Sequence, residues 1–311
     1  MAEPARLAIL LSTFNGEAFL CEQLDSILQQ SFADFIIVAR DDGSEDNTPG
    51  ILTQYAAAHA GRFFILPDKG AKLGAKASFA ALMQYVLEHK SELGLARAYM
   101  MFADQDDIWA ADKIEIELNS LLLLEQGSAY RMPALVHSDL EVVDRDGKRI
   151  AASYIAYQGL QIQRDSLVNQ VQSNLVTGCT AVINEELALK VLPIPDKAIM
   201  HDWWIAIAAV AHGKRLFIDQ PLVRYRQHDC NTIGAQPFIA VIPSAKSLWG
   251  KLRAYRTNPH LFAVAEQSRA VLRHHGDALN FRQRLGLQLL GCVDVRSGLL
   301  QSLLFRLARY F

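Results

Sequence analysis

No stretch of this 311-residue chain approaches the roughly 18 uninterrupted apolar residues of a spanning helix, so none is expected. Cysteine is scarce: the four present, Cys21, Cys179, Cys230 and Cys292, lie far apart and show neither zinc spacing nor a disulfide framework. The opening, Met1-Ala2-Glu3-Pro4-Ala5-Arg6, leads into an apolar strand without a signal-peptide pattern. Together these absences make the cytoplasm the expected compartment. Repeats of fixed period are also missing. Net charge is nearly absent at −2, but it is unevenly spread. From Lys246 onward there are 11 Lys/Arg against 3 Asp/Glu, and the remainder carries 20 against 30. A basic end on an acidic body suggests an anionic partner for that end, and nothing in the pattern points to nucleic acid.

What is present is a folded composition. Apolar residues at 51% and charged residues at 21% exclude a disordered chain and leave room for one large or two smaller domains. Leu7-Ala8-Ile9-Leu10-Leu11 is apolar without alternation, which suits a parallel strand covered on both faces. Phe35 to Ala39, Phe63 to Leu66 and Tyr99 to Ala103 read likewise. Between them lie helical spacings, one starting near Glu17 and one at Thr48-Pro49 with Thr48 as N-cap. Four strand–helix alternations predict an α/β sheet with right-handed crossovers. Beyond Val136 a hairpin is expected to turn at Asp144-Arg145-Asp146-Gly147. Next comes an apolar stretch from Leu175 to Ile183, then a helix headed by His201-Asp202-Trp203-Trp204 and closed by Gly213. Two strands, Arg215–Ile218 and Leu222–Tyr225, follow it. Roughly 244 to 311 reads as two or three amphipathic helices.

The chemistry centres on Asp104-Gln105-Asp106-Asp107, where the apolar run stops and three carboxylates follow within four residues. Such acids repel one another unless a cation or solvent separates them. Ser12-Thr13, Asp41-Asp42 and Asp104-Gln105-Asp106 all fall at carboxyl ends of strands, where open α/β sheets bind ligands. They outline a pocket of hydroxyls, backbone donors and carboxylates. A carboxylate such as Asp42 can accept the ring N–H of a pyrimidine, and Asp106 with Asp104 can hold a metal that neutralises a diphosphate.

Ser12-Thr13-Phe14-Asn15-Gly16, Asp41-Asp42-Gly43-Ser44 with Asp46 and Thr48, and Asp104-Gln105-Asp106-Asp107 resemble three successive motifs of the family 2 glycosyltransferases. The resemblance covers about residues 6 to 235. His201-Asp202-Trp203-Trp204 and Tyr225-Arg226-Gln227-His228, followed by Asn231, are similar to the bacterial rhamnosyltransferase branch. The resemblance implies the GT-A fold, a mostly parallel central sheet flanked by helices, and an inverting enzyme that needs Mg2+ or Mn2+. It implies a transferase domain over about 1–240, divided near 135 into a nucleotide-binding half from about 6 and an acceptor-side half. A basic helical extension over about 241–311 follows.

By position, Ser12, Thr13, Glu17 and Asp42 fall to the nucleotide. Asp106 falls to the metal, with Asp104 serving metal or ribose. Asp202 becomes the catalytic base. His228 is a third metal ligand or a diphosphate contact, and Arg226 pairs with phosphate. Thr177, Gly178 and Trp203 fall on the acceptor side. Two positions depart from the family: His201 stands where an acid usually precedes the base, and Ser78 stands where an Asn is common. Lys69, Lys72 and Lys76 can approach the diphosphate or remain solvated.

The implied donor is a nucleotide sugar such as dTDP-L-rhamnose. The implied acceptor is a surface glycan or lipid-linked saccharide, with the basic end on an anionic inner membrane face or in a homodimer. Two other classes compete. A nucleotidyltransferase would show a glycine- and lysine-rich phosphate loop after the first strand, where Ser12 to Gly16 contains no lysine. A non-catalytic nucleotide-sugar binding module would not need Asp104, Asp106 and Asp202 together.

Overall fold

The computed structural model describes residues 6–68, 71–126, 131–228 and 258–311. Lys69, Asn231, Cys230 and Lys246 lie outside that set. Four strands, β1 (Leu7–Thr13), β2 (Phe35–Asp41), β3 (Phe63–Ile65) and β4 (Tyr99–Ala103), pair in parallel in the order β3-β2-β1-β4. Leu7 to Leu11 is buried residue after residue, because helices cover both faces. Those helices include α1 (Leu20–Leu28), α2 (Thr48–Ala58) and α3 (Ala75–His89). The register sets Ser12 beside Arg40 and Thr13 beside Asp41, with Leu11 beside both Ala39 and Ala103. Three strands therefore end at one level, and the polar segments after them share one edge.

Beyond β4 the sheet becomes mixed. The short strand β5 (Ile108–Trp109) and helix α4 (Lys113–Gln126) lead to β6 (Ala134–Val143) and β7 (Arg149–Ala151), which form the expected hairpin. Helices α5 (Tyr154–Gln158) and α6 (Leu167–Gln172) precede β8 (Ala181–Ile183), which runs antiparallel to both β4 and β6. Only these three residues of the Leu175–Ile183 stretch are strand; Gly178–Thr180 is a 3-10 turn. Helices α7 (Glu185–Val191) and α8 (His201–His212) precede β9 (Lys214–Arg226), which pairs in parallel with β6.

Two expectations need correction. Asn47, not Thr48, is the N-cap of α2. Thr48 is the first helical residue, and its hydroxyl accepts the N–H of Gly16 at 2.8 Å, tying α2 to the loop after β1. The two strands expected over 215–225 are one strand, β9, whose register on β6 shifts on either side of the Asp139–Pro221 pair. A proline lacks a ladder donor and is tolerated at such an irregularity.

Gly213 shows why α8 can hand over directly to β9. A Cβ there would stand 1.8 Å from the Pro133 carbonyl oxygen, and Lys214 N donates to that same oxygen at 3.0 Å. Gly213→Ala is expected to push β9 off the start of β6 and cost about 3 kcal/mol, measured by urea unfolding. An unchanged midpoint would mean that the backbone yields freely.

Three further helices, α9 (Pro259–His275), α10 (Phe281–Gly291) and α11 (Gly298–Ala308), close the described chain. Leu261, Val264 and Val271 of α9 and Leu287 of α10 join the apolar cluster that contains Trp203 and Trp204 of α8. Gly286 of α10 faces Val168 of α6 so closely that a Cβ would lie 2.7 Å from its Cγ2. No helix among the described residues is long and apolar enough to cross a membrane.

Candidate active site

At the carboxyl ends of β1 and β2, one buried guanidinium organises the floor of the candidate site. Arg40 lies at the end of β2 with no exposed surface. It donates to Asp42 Oδ1 at 2.6 Å, Asp68 Oδ2 at 2.6 Å, the Ala71 carbonyl at 2.6 Å and Ser78 Oγ at 3.2 Å. Ser12 Oγ donates to the same Ser78 hydroxyl at 2.7 Å, so the departure at position 78 is built into this floor. Asp42 also accepts the N–H groups of Leu73 and Gly74 at 2.7 and 2.8 Å. Burial alone would raise its pKa, but those two N–H groups and Arg40 outweigh burial and hold it below the ordinary value. Three of about four acceptor directions of this carboxylate are occupied, which leaves one for a ring N–H.

The loop after β1 is cross-tied. Thr13 donates to Asp41 Oδ1 at 3.0 Å. Glu17 is exposed, gives its N–H to Asp46 and accepts the N–H of Asn47. Gln105 exchanges two hydrogen bonds with the backbone of Phe14, at 2.8 and 2.9 Å. Lys72 lies over the Phe14 ring at 4.1 Å. Lys76 is not free for a diphosphate, since its ammonium donates to the carbonyls of Asp196 and Ala198.

The acids after β4 divide into two sets. Asp106 accepts from or shares a proton with His228, Oδ2 to Nε2 2.9 Å, while Asp104, Asp107 and Cys179 each bring one ligand atom within 4.8 Å of the others. Burial and then the Asp106 and Asp202 charges push Asp104 up to about 7. Burial also raises Asp106 against the opposing pull of His228, and raises Asp107 well above the usual range with help from Asp106 and Asp104. Arg226 is buried under this loop. It donates to the carbonyls of Asp106 and Arg145 at 3.0 and 2.6 Å and to Glu22 at 2.6 Å, and it lies over the Phe19 ring. Sequence spacing suggested a phosphate partner; the structure gives Arg226 the further task of fixing the loop that carries Asp106.

Asp202 occupies the first turn of α8. Its Oδ2 accepts Gly178 N at 3.1 Å and its Oδ1 accepts Trp203 N at 2.6 Å. Burial, only partly offset by these N–H groups, pushes it up to about 6. Gly178 permits the approach: a Cβ there would stand 3.0 Å from His201 Nε2 and 3.6 Å from Asp202 Cβ. Thr177 and Gly178 are thus brought beside Asp202. Trp203 is not on an open acceptor surface. It is buried, donates its ring N–H to the Gln170 carbonyl at 2.6 Å and stacks on His260 of α9. His201 turns away as well, stacked on Phe79 at 4.1 Å and near Phe102. Burial drives its pKa down to about 3, so it sits there neutral.

Two tyrosines were missed. Tyr154 of α5 and Tyr225 of β9 meet edge to face at 6.3 Å between centroids. Burial and then Asp202 raise Tyr154 to about 12, and Tyr225 is raised by burial and then by Asp107 and Asp104. Tyr154 thus feels the charge of Asp202, and Tyr225 that of the acidic loop. Tyr225 could have been flagged from its place in the Tyr225–His228 segment; Tyr154 carries no sequence signal beyond being aromatic.

The model of the family described as Glycosyl transferase family 2 matches residues 8–126. The dTDP-rhamnosyl transferase RfbG of Shigella flexneri is 30% identical over 243 residues, 72% of this chain and 74% of its own. A glucosyltransferase of Escherichia coli, UDP-Glc:alpha-D-GlcNAc-diphosphoundecaprenol beta-1,3-glucosyltransferase WfgD, is 24% identical over 61% of this chain and 64% of its own. Among solved structures, S. aureus TarS 1-349 in complex with UDP superposes with a TM-score of 0.54 at 12% identity, covering 98% of this chain and 91% of that one. The mannosyltransferase PcManGT of Pyrobaculum calidifontis, in complex with GDP-Man and Mn2+, gives 0.55 at 14% identity over 97% and 73%. At such identities the structures establish the fold, which is GT-A. With the family motifs on one sheet edge and a 30%-identical relative spanning most of both chains, this glycosyltransferase belongs to glycosyl transferase family 2.

Proposed function

We propose that the protein transfers a sugar, with inversion, from a nucleotide-diphosphate donor to a hydroxyl of a saccharide acceptor. Asp202 is the base in this reading. One observation supports it: Asp202 Oδ2 accepts Gly178 N at 3.1 Å, and the next residue, Cys179, has its thiol within 4.8 Å of carboxylate oxygens of Asp104 and Asp107, which puts the proposed base beside the donor-side acids. Asp202 takes the proton of the acceptor hydroxyl as that oxygen bonds to the anomeric carbon. The bond from that carbon to the phosphate oxygen breaks on the opposite face, and the nucleoside diphosphate leaves with the electron pair.

The acids suit a hard divalent cation. Asp107 Oδ2 is buried without a hydrogen-bond partner among the described residues, and the Asp106 charge raises the proton affinity of Asp104. Asp104, Asp106 and Asp107 would hold Mg2+ or Mn2+, with His228 on Asp106, and a bound cation supplies stabilisation of charge on the departing diphosphate.

For the donor we favour dTDP-L-rhamnose. The single open acceptor direction on Asp42 suits a thymine ring N–H, and the Shigella relative bears that donor class in its name. For the acceptor we favour a lipid-linked saccharide, as named for the Escherichia coli relative. The test is incubation with dTDP-rhamnose, UDP-glucose and GDP-mannose in Mn2+, following nucleoside diphosphate release. dTDP release in excess over the others is expected. Release of pyrophosphate would instead indicate nucleotidyl transfer, and no release from any donor or acceptor would leave a binding module.

A further inference from the structure

Helix α11 is inverted in polarity. Its fully buried positions are Gly298, Gln301 and Ala308, with Leu304 and Phe305 half-buried against the core. Its outward positions include Leu299, Leu300, Leu303 and Leu307, each 42–52% exposed, and Tyr310 just beyond it is 77% exposed. At 3.6 residues per turn these five side chains fall within one arc of about 100°. Phe281, at the head of α10, is 79% exposed. Arg282 donates to the Tyr310 carbonyl at 3.2 Å, which joins that head to the end of α11. A helix whose fully buried positions are small or polar, and which still turns four leucines outward, is suited to meet a second apolar medium.

The charges around this face select the medium. Arg306 is exposed at the edge of the leucine arc, and Arg282 and Arg296 are exposed nearby. Neither α10 nor α11 contains an acidic residue. Between Phe281 and Phe311 the one acid is Asp294, and it is paired with Arg269. A second copy seated face to face would set these arginines against their own counterparts with no carboxylate to answer them. The stretch 229–257 is itself basic in sequence, with Lys246, Lys251, Arg253 and Arg256 against one acid, Asp229. Anionic headgroups above acyl chains satisfy both the leucines and the arginines.

We infer that the outward face of α11, with the head of α10, docks on an anionic lipid surface. The inference gives the proposed lipid-linked acceptor a place to be met, but it stands apart from that reading, because lipid binding requires neither donor nor turnover. The experiment is co-sedimentation of the full chain with phosphatidylcholine vesicles, with and without phosphatidylglycerol. Binding to the anionic vesicles is expected, weakened by salt. Leu303→Glu with Leu307→Glu should lower that binding at least about tenfold with the unfolding midpoint unchanged, because both side chains face outward. Arg306→Gln, which removes charge without touching the apolar stripe, should weaken it by about fivefold. Failure of the wild type to bind anionic vesicles at low salt would overturn the inference. So would equal binding by the double variant. A dimer in sedimentation analysis that the double variant splits, without vesicle binding, would make a second copy the occupant and overturn it too.

Discussion

Asp202→Asn is expected to lower kcat by about 10²–10⁴-fold, the usual worth of a general base, while leaving donor affinity within about tenfold. Both backbone N–H groups that Asp202 accepts, from Gly178 and Trp203, hold the side chain in place without needing the donor. In the wild type, kcat/KM should fall about tenfold per pH unit below about 6, where burial has placed this carboxyl. The same substitution has a stability signature. The folded pKa of about 6 lies above the ordinary 3.8, so the folded state holds the proton more tightly than the unfolded one. The stability this contributes is fully present below about pH 4 and is lost as pH rises through about 6. The Asn variant has no such loss. In chelator at pH 7.5 it should gain up to roughly 3 kcal/mol over the wild type relative to the same comparison at pH 4, measured by urea unfolding. Strong loss of donor binding in this variant would remove Asp202 from the role of base.

Asp106→Ala should be as damaging by a different route. It deletes a carboxylate of the acidic loop and the partner of His228. About 10³-fold or more in kcat is expected to go, since several kcal/mol of leaving-group stabilisation depends on the cation. Binding of nucleoside diphosphate, followed by calorimetry, should strengthen with Mn2+ in the wild type and cease to respond in the variant. A wild type that turns over equally well in chelator would sink this expectation.

The half of the sheet that carries the donor was legible because its signal is local. Leu7–Leu11 and Tyr99–Ala103 are buried throughout, and uninterrupted apolar runs announce such strands. The carboxyl-end segments then had to share an edge once the strands were parallel. Other features depend on distant partners. Arg40 looked like any polar residue closing a strand, and its role rests on Asp68, Ala71 and Ser78. Trp203 reads as an acceptor contact because an aromatic face suits the apolar side of a sugar ring, yet His260 of α9 lies on its ring, and helical periodicity near 203 contains no trace of residue 260. Pro221 makes one strand look like two because a proline interrupts most strand ladders; the extra residues that β9 carries opposite Ser138 to Glu141 of β6, which accommodate it, show only in the pairing register. Asp202 itself was found through motif resemblance, and its contact with Gly178 came only with the fold.

The packing of His201 against Phe79 and Phe102 also bears on how such a transferase diversifies. The neighbour of the proposed base is wedged into packed aromatic interior, so substitution at that turn disturbs the scaffold before it reaches the incoming alcohol. Under that proposal, changes of acceptor are expected in the connections near Asp202, around Tyr154 and Thr177, and not at residue 201.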